Sequence, residues 1–183
     1  MVRPECTDQD QPLGKTKMKK IVLAAFAAAI AVPAAAAPGD TATDAGSATA
    51  TIIAPITLTH TPGAALAFGT IIPDTAAAGS VTVTAAGAGS DDGTATLVAG
   101  SVNTADSFDV TGDPSRLFDI TTTPGSVSNG TQTMTFTTAP SVGSAIISAG
   151  GSSAFTVGGT LSVGAAQAAG DYTGTYDATV TYN

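Results

Sequence analysis

Cysteine, histidine and basic residues are scarce in this chain of 183 residues, and tryptophan is absent. A single cysteine and a single histidine exclude a metal site built from those two residue types. The 6 lysines and arginines stand against 14 acidic residues, which leaves a net charge of −8. Because a chain this acidic has little capacity to neutralise phosphates, we expect neither nucleic acid nor an anionic membrane surface as a partner.

A basic patch and a short apolar run lie near the N-terminus. Lysines between positions 15 and 20 are followed by residues 21–32, an apolar run of 12 residues. A membrane-spanning helix needs about 20 such residues, whereas the core of a signal peptide needs about 7–15. Pro33 then breaks the helix, and the alanines that follow suit signal peptidase. The pattern predicts a signal peptide rather than the alternative, a membrane anchor.

We place the cleavage after Ala36 and the native translation start at Met18, so the signal peptide comprises residues 18–36. Residues 1–17 are then a region upstream of the native start. Cleavage removes Cys6 and every basic residue except Arg116, so the mature protein has no disulfide. We expect an exported protein, in the periplasm, on the cell surface or outside the cell, with no stable membrane insertion once the leader is removed.

Beyond the leader, alternation of apolar and polar residues is the main signal, and no sustained helical period competes with it. Clear examples are Val81 and Val83, Phe108 and Val110, Met134 and Phe136, and residues 155–163, in which Gly158-Gly159 predicts a bulge or bend. Asn129-Gly130 supplies the residues that a tight hairpin turn needs. Short strands at this spacing favour an all-β, antiparallel β-sandwich over a barrel. We expect residues 48–183 to form it as a single domain, after a flexible extension over residues 37–47.

The first candidate strand is unusually long. Its even positions are apolar and its odd positions are mostly threonine; the even positions are Ala48, Ala50, Ile52, Ala54, Ile56 and Leu58. Strands usually have about 5–6 residues, and Pro55 cannot donate to a central ladder. Two interpretations remain open: a single long edge strand, or a mobile extension before Pro55 followed by the first strand of the domain.

The C-terminus shows the clearest alternation. One face would carry Tyr172, Gly174, Tyr176, Ala178, Val180 and Tyr182. The opposite face would carry threonines and Asp177. The pattern predicts a final strand with one apolar face.

Four segments resemble a known family. They are residues 66–71 (LAFGTI), 155–161 (FTVGGTL), 170–176 (GDYTGTY) and 180–183 (VTYN). On these segments the chain resembles secreted proteobacterial proteins catalogued as domain of unknown function 4402, from about Ala48 to Asn183. The C-terminal motif is the most specific part of the resemblance.

That family is similar in layout to chaperone–usher pilins and spore-coat-type fimbrial subunits. The resemblance implies an incomplete immunoglobulin-like sandwich, in which the N-terminal extension of one molecule fills a groove in the next. It also implies self-association and a periplasmic chaperone as a partner. Pilins tend to carry a penultimate tyrosine and a glycine fourteen residues from the end, positions that Tyr182 and Gly170 occupy here.

The resemblance marks two sets of residues. The candidate donor-strand residues are Ala48, Ala50, Ile52 and Ala54. The candidate C-terminal strand recognised by a chaperone contains Gly170, Tyr176, Ala178, Val180 and Tyr182. The alternative is that residues 48–54 form the first strand of a sandwich that is complete by itself.

Catalytic and metal chemistry find little support in the sequence. His60 lies just before the turn Thr61-Pro62-Gly63, and no G-x-S-x-G segment occurs, so a surface position at a strand end is favoured over a Ser-His-Asp site. Asp91-Asp92-Gly93 lacks the spacing and the closing glutamate of a calcium loop, and it predicts a solvated turn. We expect no enzyme, no metal site and no cofactor.

Two classes of function remain. The first is a structural subunit of a surface filament or fimbria-like assembly built by β-strand donation. The second is a monomeric, adhesin-like binding module that uses loop residues such as Asp106, Asp113 or Tyr172.

Overall fold

The computed structural model describes Gly39 and residues 41–183. The predicted leader, its cleavage site and the start at Met18 lie outside the described residues, as does part of the predicted extension over residues 37–47. The compact unit considered below comprises Thr49–Asn183. In the part of the chain that the structure describes, no helix is long and apolar enough to span a membrane.

Strands form all the regular structure of the described residues. In chain order they are β1 (Thr57–His60), β2 (Ile71–Ile72), β3 (Gly79–Val83), β4 (Gly89–Asp91), β5 (Thr96–Leu97), β6 (Asp106–Thr111), β7 (Leu117–Thr122), β8 (Gly125–Ser128), β9 (Thr133–Pro140), β10 (Ser144–Ile146), β11 (Ser152–Val163), β12 (Thr173–Thr175) and β13 (Ala178–Tyr182). The all-β fold predicted from the alternation is confirmed.

Antiparallel pairing assembles these strands into three sheets. The largest has the order β1-β6-β11-β9-β8-β12, with β3 paired to β11 and β4 paired to β3. A three-stranded sheet has the order β10-β7-β13, and β2 pairs with β5. Apolar side chains of β7 pack against those of β6 and β11, which makes the arrangement sandwich-like.

The central strand β11 pairs along both of its edges. On one edge it pairs with β9, and on the other it pairs first with β6 and then with β3. The bulge predicted at Gly158-Gly159 is wrong, because residues 157–161 keep an unbroken register with β9. Glycine is required at position 158 for another reason: a Cβ there would collide with the carbonyl oxygen of Val83.

Two apolar clusters form the core. One contains Phe68, Val81, Val83, Ala95, Met134, Phe136, Leu161 and Val163. The other contains Phe108, Val110, Phe118, Ile120, Ile147, Phe155 and Val157. Tyr176 packs against both clusters. The inward positions predicted by alternation in β3, β6, β9 and β11 are therefore confirmed.

The turn at Asn129-Gly130 joins β8 to β9, as the sequence predicts. It is longer than a two-residue turn, because Ser128 pairs with Thr133 and residues 129–132 form the loop. Gly130 has a φ of 88°, which favours glycine. The side chain of Asn129 accepts hydrogen bonds from the next two available amides, those of Thr131 and Gln132, at 2.9 and 2.8 Å.

The first strand begins only at Thr57. Residues 49–55 are exposed and belong to no strand. The interpretation as a single long edge strand is therefore wrong, and the chain before Pro55 is an extension that precedes the first strand.

Candidate functional site

Two edges of the sandwich line one groove. The first edge is the chain from β1 to β2, which pairs with β6, with Thr104 through Ala67, and with β5. The second edge is the chain from β12 to β13, which pairs with β8 and β7. Among the described residues no strand pairing joins the first edge to the second. Each edge therefore presents backbone groups without a neighbouring strand.

Two cavities open along this groove. The smaller has a volume of 390 Å³ and lies between residues 64–68 and residues 174–176. The larger has a volume of 780 Å³ and lies between residues 65–73 and residues 167–174, over a floor that includes Met134 and Leu161. The residues common to both cavities are Ala65, Leu66, Phe68, Val127 and Gly174. The cavities are thus two parts of one continuous, largely apolar groove.

The second edge has an apolar face that is only half covered. Ala178, Val180 and Tyr182 pack against the core, yet each remains partly exposed. The intervening Thr179 and Thr181 are fully on the solvent side. The predicted C-terminal alternation is confirmed, and a further strand along this edge would complete the burial of its apolar face.

A hydrogen-bonded cluster of three side chains crosses the groove at the smaller cavity, and we call it the cross-tie. Nε2 of His60 lies 2.6 Å from Oδ1 of Asp106, and the hydroxyl of Tyr176 donates to Oδ2 of Asp106 at 2.8 Å. Asp106 is 5% exposed and also accepts a hydrogen bond from the amide of Ser107. Since His60 belongs to the first edge and Tyr176 to the second, the buried carboxylate holds the two edges together.

The cross-tie keeps Tyr176 in its neutral form. Burial, followed by the hydrogen bond to Asp106 and the negative charge of that carboxylate, raises the pKa of Tyr176 above its ordinary value of 10.0. The phenol is consequently a hydrogen-bond donor at neutral pH. Its ring also meets Phe108 and Phe136 edge-on, with centroid distances of 6.2 and 6.0 Å. Tyr176 therefore links the two core clusters at the groove.

The sequence of this domain matches a family model described as Domain of unknown function (DUF4402), over residues 56–182. The chain belongs to this family. No curated protein and no solved structure matches it. The matched region begins one residue before β1 and ends with the last residue of β13. The DUF4402 domain thus contains both edges of the groove, and the exposed residues 49–55 precede it.

The candidate donor-strand residues lie outside the DUF4402 domain. Ala48, Ala50, Ile52 and Ala54 are all exposed, and Ile52 is 95% exposed. The hydroxyl of Tyr182 donates a hydrogen bond of 3.1 Å to the carbonyl oxygen of Ala54. This bond places Ala54 beside the end of β13.

The candidate chaperone-recognised residues are divided between a strand and its approach. Ala178, Val180 and Tyr182 lie in β13, and Tyr176 lies between β12 and β13. Gly170 precedes β12 and lines the larger cavity. Its φ of 149° lies outside the β region of L-residues. The assignment of Gly170 and Tyr176 to the C-terminal strand itself is therefore wrong.

The three residues named for a binding module have internal partners. Asp106 is a buried strand residue, so its assignment to a loop is wrong. Asp113 accepts a hydrogen bond from Nε of Arg116 at 3.0 Å. The hydroxyl of Tyr172 donates to the carbonyl oxygen of Ala168 at 2.9 Å.

Sequence reasoning placed His60 at a strand end but missed the cross-tie. His60 is the last residue of β1, and its side chain is 47% exposed. A signal was nevertheless present, because Asp106 shares the inward face of β6 with Phe108 and Val110. An acidic residue in an apolar row requires a hydrogen-bonding partner inside the fold.

The Asp91-Asp92-Gly93 turn is exposed, as predicted, and its carboxylates cap backbone amides. Asp91 accepts from the amides of Gly93 and Leu97 at 3.1 and 2.8 Å. Asp92 accepts from three amides, those of Thr94, Ala95 and Ser80, at 2.9, 3.1 and 2.6 Å. The bond from the amide of Thr94 contributes most to a pKa of Asp92 below its ordinary value of 3.8.

Proposed function

We propose that this protein is a non-enzymatic, exported structural subunit of a bacterial surface filament or fimbria-like assembly. In this proposal the domain is an incomplete, immunoglobulin-like sandwich of the pilin type. The groove between its first and second edges accepts an N-terminal strand from another copy. The observation that carries the proposal is the groove itself, in which two unpaired strand edges flank an apolar floor.

A strand is the occupant that best suits such a groove. Main-chain hydrogen bonds to the flanking edges supply affinity, and alternate side chains enter the pockets between them. The half-covered row of Ala178, Val180 and Tyr182 would then be buried on its open side. A small ligand would use the cavities but leave both edges without a strand partner.

The extension that precedes β1 has the pattern of a complementary strand. Its even positions are all apolar, and the largest side chain at these positions, that of Ile52, is 95% exposed. Full burial of an isoleucine side chain stabilises by about 1.5–3 kcal/mol. Donation to a neighbour removes this exposure and covers the groove of the neighbour in the same event.

Two further elements belong to the proposal. An unpaired edge over an apolar groove is an aggregation hazard before assembly, so a periplasmic chaperone that covers the groove is the expected partner. Export requires removal of the leader, so protein recovered from the periplasm or cell surface should begin at Ala37. Intact-mass measurement tests this, and a mass that retains Met18 to Ala36 would contradict it.

Size-exclusion chromatography of the intact exported protein tests the proposed assembly. We expect oligomers whose size increases with protein concentration. A monomer that stays monomeric at every concentration and never exchanges strands would overturn the filament proposal.

A peptide experiment tests strand donation directly. Deletion of residues 37–54 leaves every strand in place. The shortened domain should be soluble but less stable than the assembled protein, because its groove stays open. A peptide of residues 44–56 should restore stability by mass action, by about 2.7 kcal/mol at a free concentration of 100 times its Kd.

Matched peptides supply the control for that experiment. Ile52→Asp in the peptide should abolish the rescue, because burial of an unpaired carboxylate is strongly unfavourable. Ile53→Asp places the same charge on the opposite face and should retain most of the rescue. Equal behaviour of the two peptides would argue against insertion of a strand with one face inward.

A further inference from the structure

We infer that Ile52 of one molecule occupies the junction of the two groove cavities in a second molecule and thereby sets the register of strand donation. The inference rests on the proposed function, since it names the residue that fills the groove described there. The junction is the set of residues common to both cavities, namely Ala65, Leu66, Phe68, Val127 and Gly174.

On its even-numbered face the donor segment has one large apolar side chain between two small ones. Ile52 is flanked at two-residue spacing by Ala50 and Ala54. Side chains on one face of a strand follow one another at about 7 Å. Of three successive positions in the groove, only the middle one therefore needs a deep pocket.

The groove has a corresponding position at the junction. There the smaller and larger cavities share their lining residues, and we place the branched side chain of Ile52 at this shared point. Two residues farther along the second edge is Tyr176, whose hydroxyl is held by Asp106. A methyl group can lie against this ring, whereas a larger group would displace Tyr176 and leave a buried carboxylate without its donor.

The register does not depend on the direction of the donor strand. With Ile52 in the junction, either Ala50 or Ala54 lies at the level of Tyr176, according to the direction. Both are alanines, so the cross-tie is left intact in either case. A shift by two residues toward the smaller cavity would instead place Ile52 on the cross-tie and an alanine in the junction.

Pro55 favours a second copy, rather than the molecule's own extension, as the occupant of the groove. To enter its own groove beside β1, the segment before Pro55 would have to reverse through Pro55 and Ile56. Two-residue hairpin turns require a positive φ at the first central residue, whereas proline holds φ near −65°. The bond from Tyr182 to the carbonyl of Ala54 also holds the chain at the end of β13, before this turn.

Disulfide trapping in the full chain tests the register. In a Cys6→Ser background, cysteine is placed at Val127, which lines the junction, and in turn at Ala48, Ala50 and Ile52. We expect Ile52→Cys with Val127→Cys to yield a ladder of covalent multimers on a non-reducing gel, and the other two pairs to lose it. Leu66→Cys is the second acceptor, should the change at Val127 impair folding.

Each matched control moves one substitution to the neighbouring residue, which lies on the opposite face of the same strand. Ser126→Cys lies next to Val127 but is exposed on the opposite face of β8, and it should not cross-link to Ile52→Cys. Without cysteines, Ile52→Asp should abolish concentration-dependent oligomers, whereas Ile53→Asp should retain them.

The possible outcomes distinguish a failure of the inference alone from a failure of the proposed function on which it rests. A ladder that is strongest from Ala48→Cys or Ala50→Cys overturns the register but leaves strand donation standing. A disulfide within single chains overturns the second copy as the occupant. No disulfide with either acceptor, together with a concentration-independent monomer, overturns both the inference and the proposed function.

Discussion

The hydroxyl of Tyr176 donates a hydrogen bond of 2.8 Å to Asp106, a residue that lies 70 positions earlier and is 5% exposed. The bond connects the C-terminal chain to β6, the strand between β1 and β11 in the large sheet. Because His60 occupies the other carboxylate oxygen, the two edges of the groove depend on one buried acceptor. Stability and the shape of the groove are therefore coupled at this point.

Removal of the Tyr176 hydroxyl should destabilise the domain. Tyr176→Phe leaves Oδ2 of Asp106 without its donor in a buried setting, so we expect a loss of about 1–3 kcal/mol in the free energy of unfolding, measured by urea denaturation. Tyr172→Phe is the control, because the Tyr172 hydroxyl donates to the exposed carbonyl of Ala168. Equal losses in the two variants would contradict a special role for the cross-tie.

Alkaline pH should weaken the fold through the same residue. The pKa of Tyr176 is raised in the folded state, so the unfolded chain releases the phenol proton first. The stabilisation is complete below a pH of about 10 and is lost as the pH rises above that value. Urea midpoints across this range should fall more steeply for the native protein than for Tyr176→Phe. Parallel curves would show that Tyr176 is not the group responsible.

Acid should weaken the turn that contains Asp92. Hydrogen bonds from backbone amides lower the pKa of Asp92 below 3.8, so the stabilisation is present above the unfolded pKa and is lost as the pH falls through the folded pKa. Asp92→Asn should therefore flatten the acid limb of a plot of melting temperature against pH. Asp171→Asn, at an exposed position, serves as the comparison, and an equal flattening there would refute the assignment to Asp92.

Truncation of Phe155 should remove a central part of the core. Its ring is 3% exposed and stacks on Phe108 at a centroid distance of 5.3 Å. Phe155→Ala should cost about 3–5 kcal/mol in the free energy of unfolding. Val142→Ala, at a side chain that is 44% exposed, should cost less than about 1 kcal/mol. Urea denaturation of both variants checks the difference.

Much of the fold was predictable because strand alternation is a local pattern. The inward positions of β3, β6, β9, β11 and β13 agree with the sequence, since each depends only on a spacing of two residues. The same pattern left two interpretations open at residues 48–54, where alternation continues but no strand forms. Alternation shows which face can be buried, and a strand also needs a neighbour with which to pair.

The candidate site was harder to predict from the sequence than the strands were. His60 and Asp106 are 46 positions apart, and Asp106 and Tyr176 are 70 positions apart. No short motif connects residues at such distances. The role of Gly158 was also misjudged, because the close carbonyl of Val83 belongs to a strand far away in the chain.

The sequence by itself determined the class of the fold, the residues that face its core and the alternating segment that precedes β1. These follow from side-chain chemistry and a period of two residues, which every short stretch of chain carries within itself. Only the tertiary structure decided which strand edges are paired, because pairing brings together residues that are far apart in the chain. It left β1 and β13 unpaired with one another, placed the cross-tie between them and so created the groove.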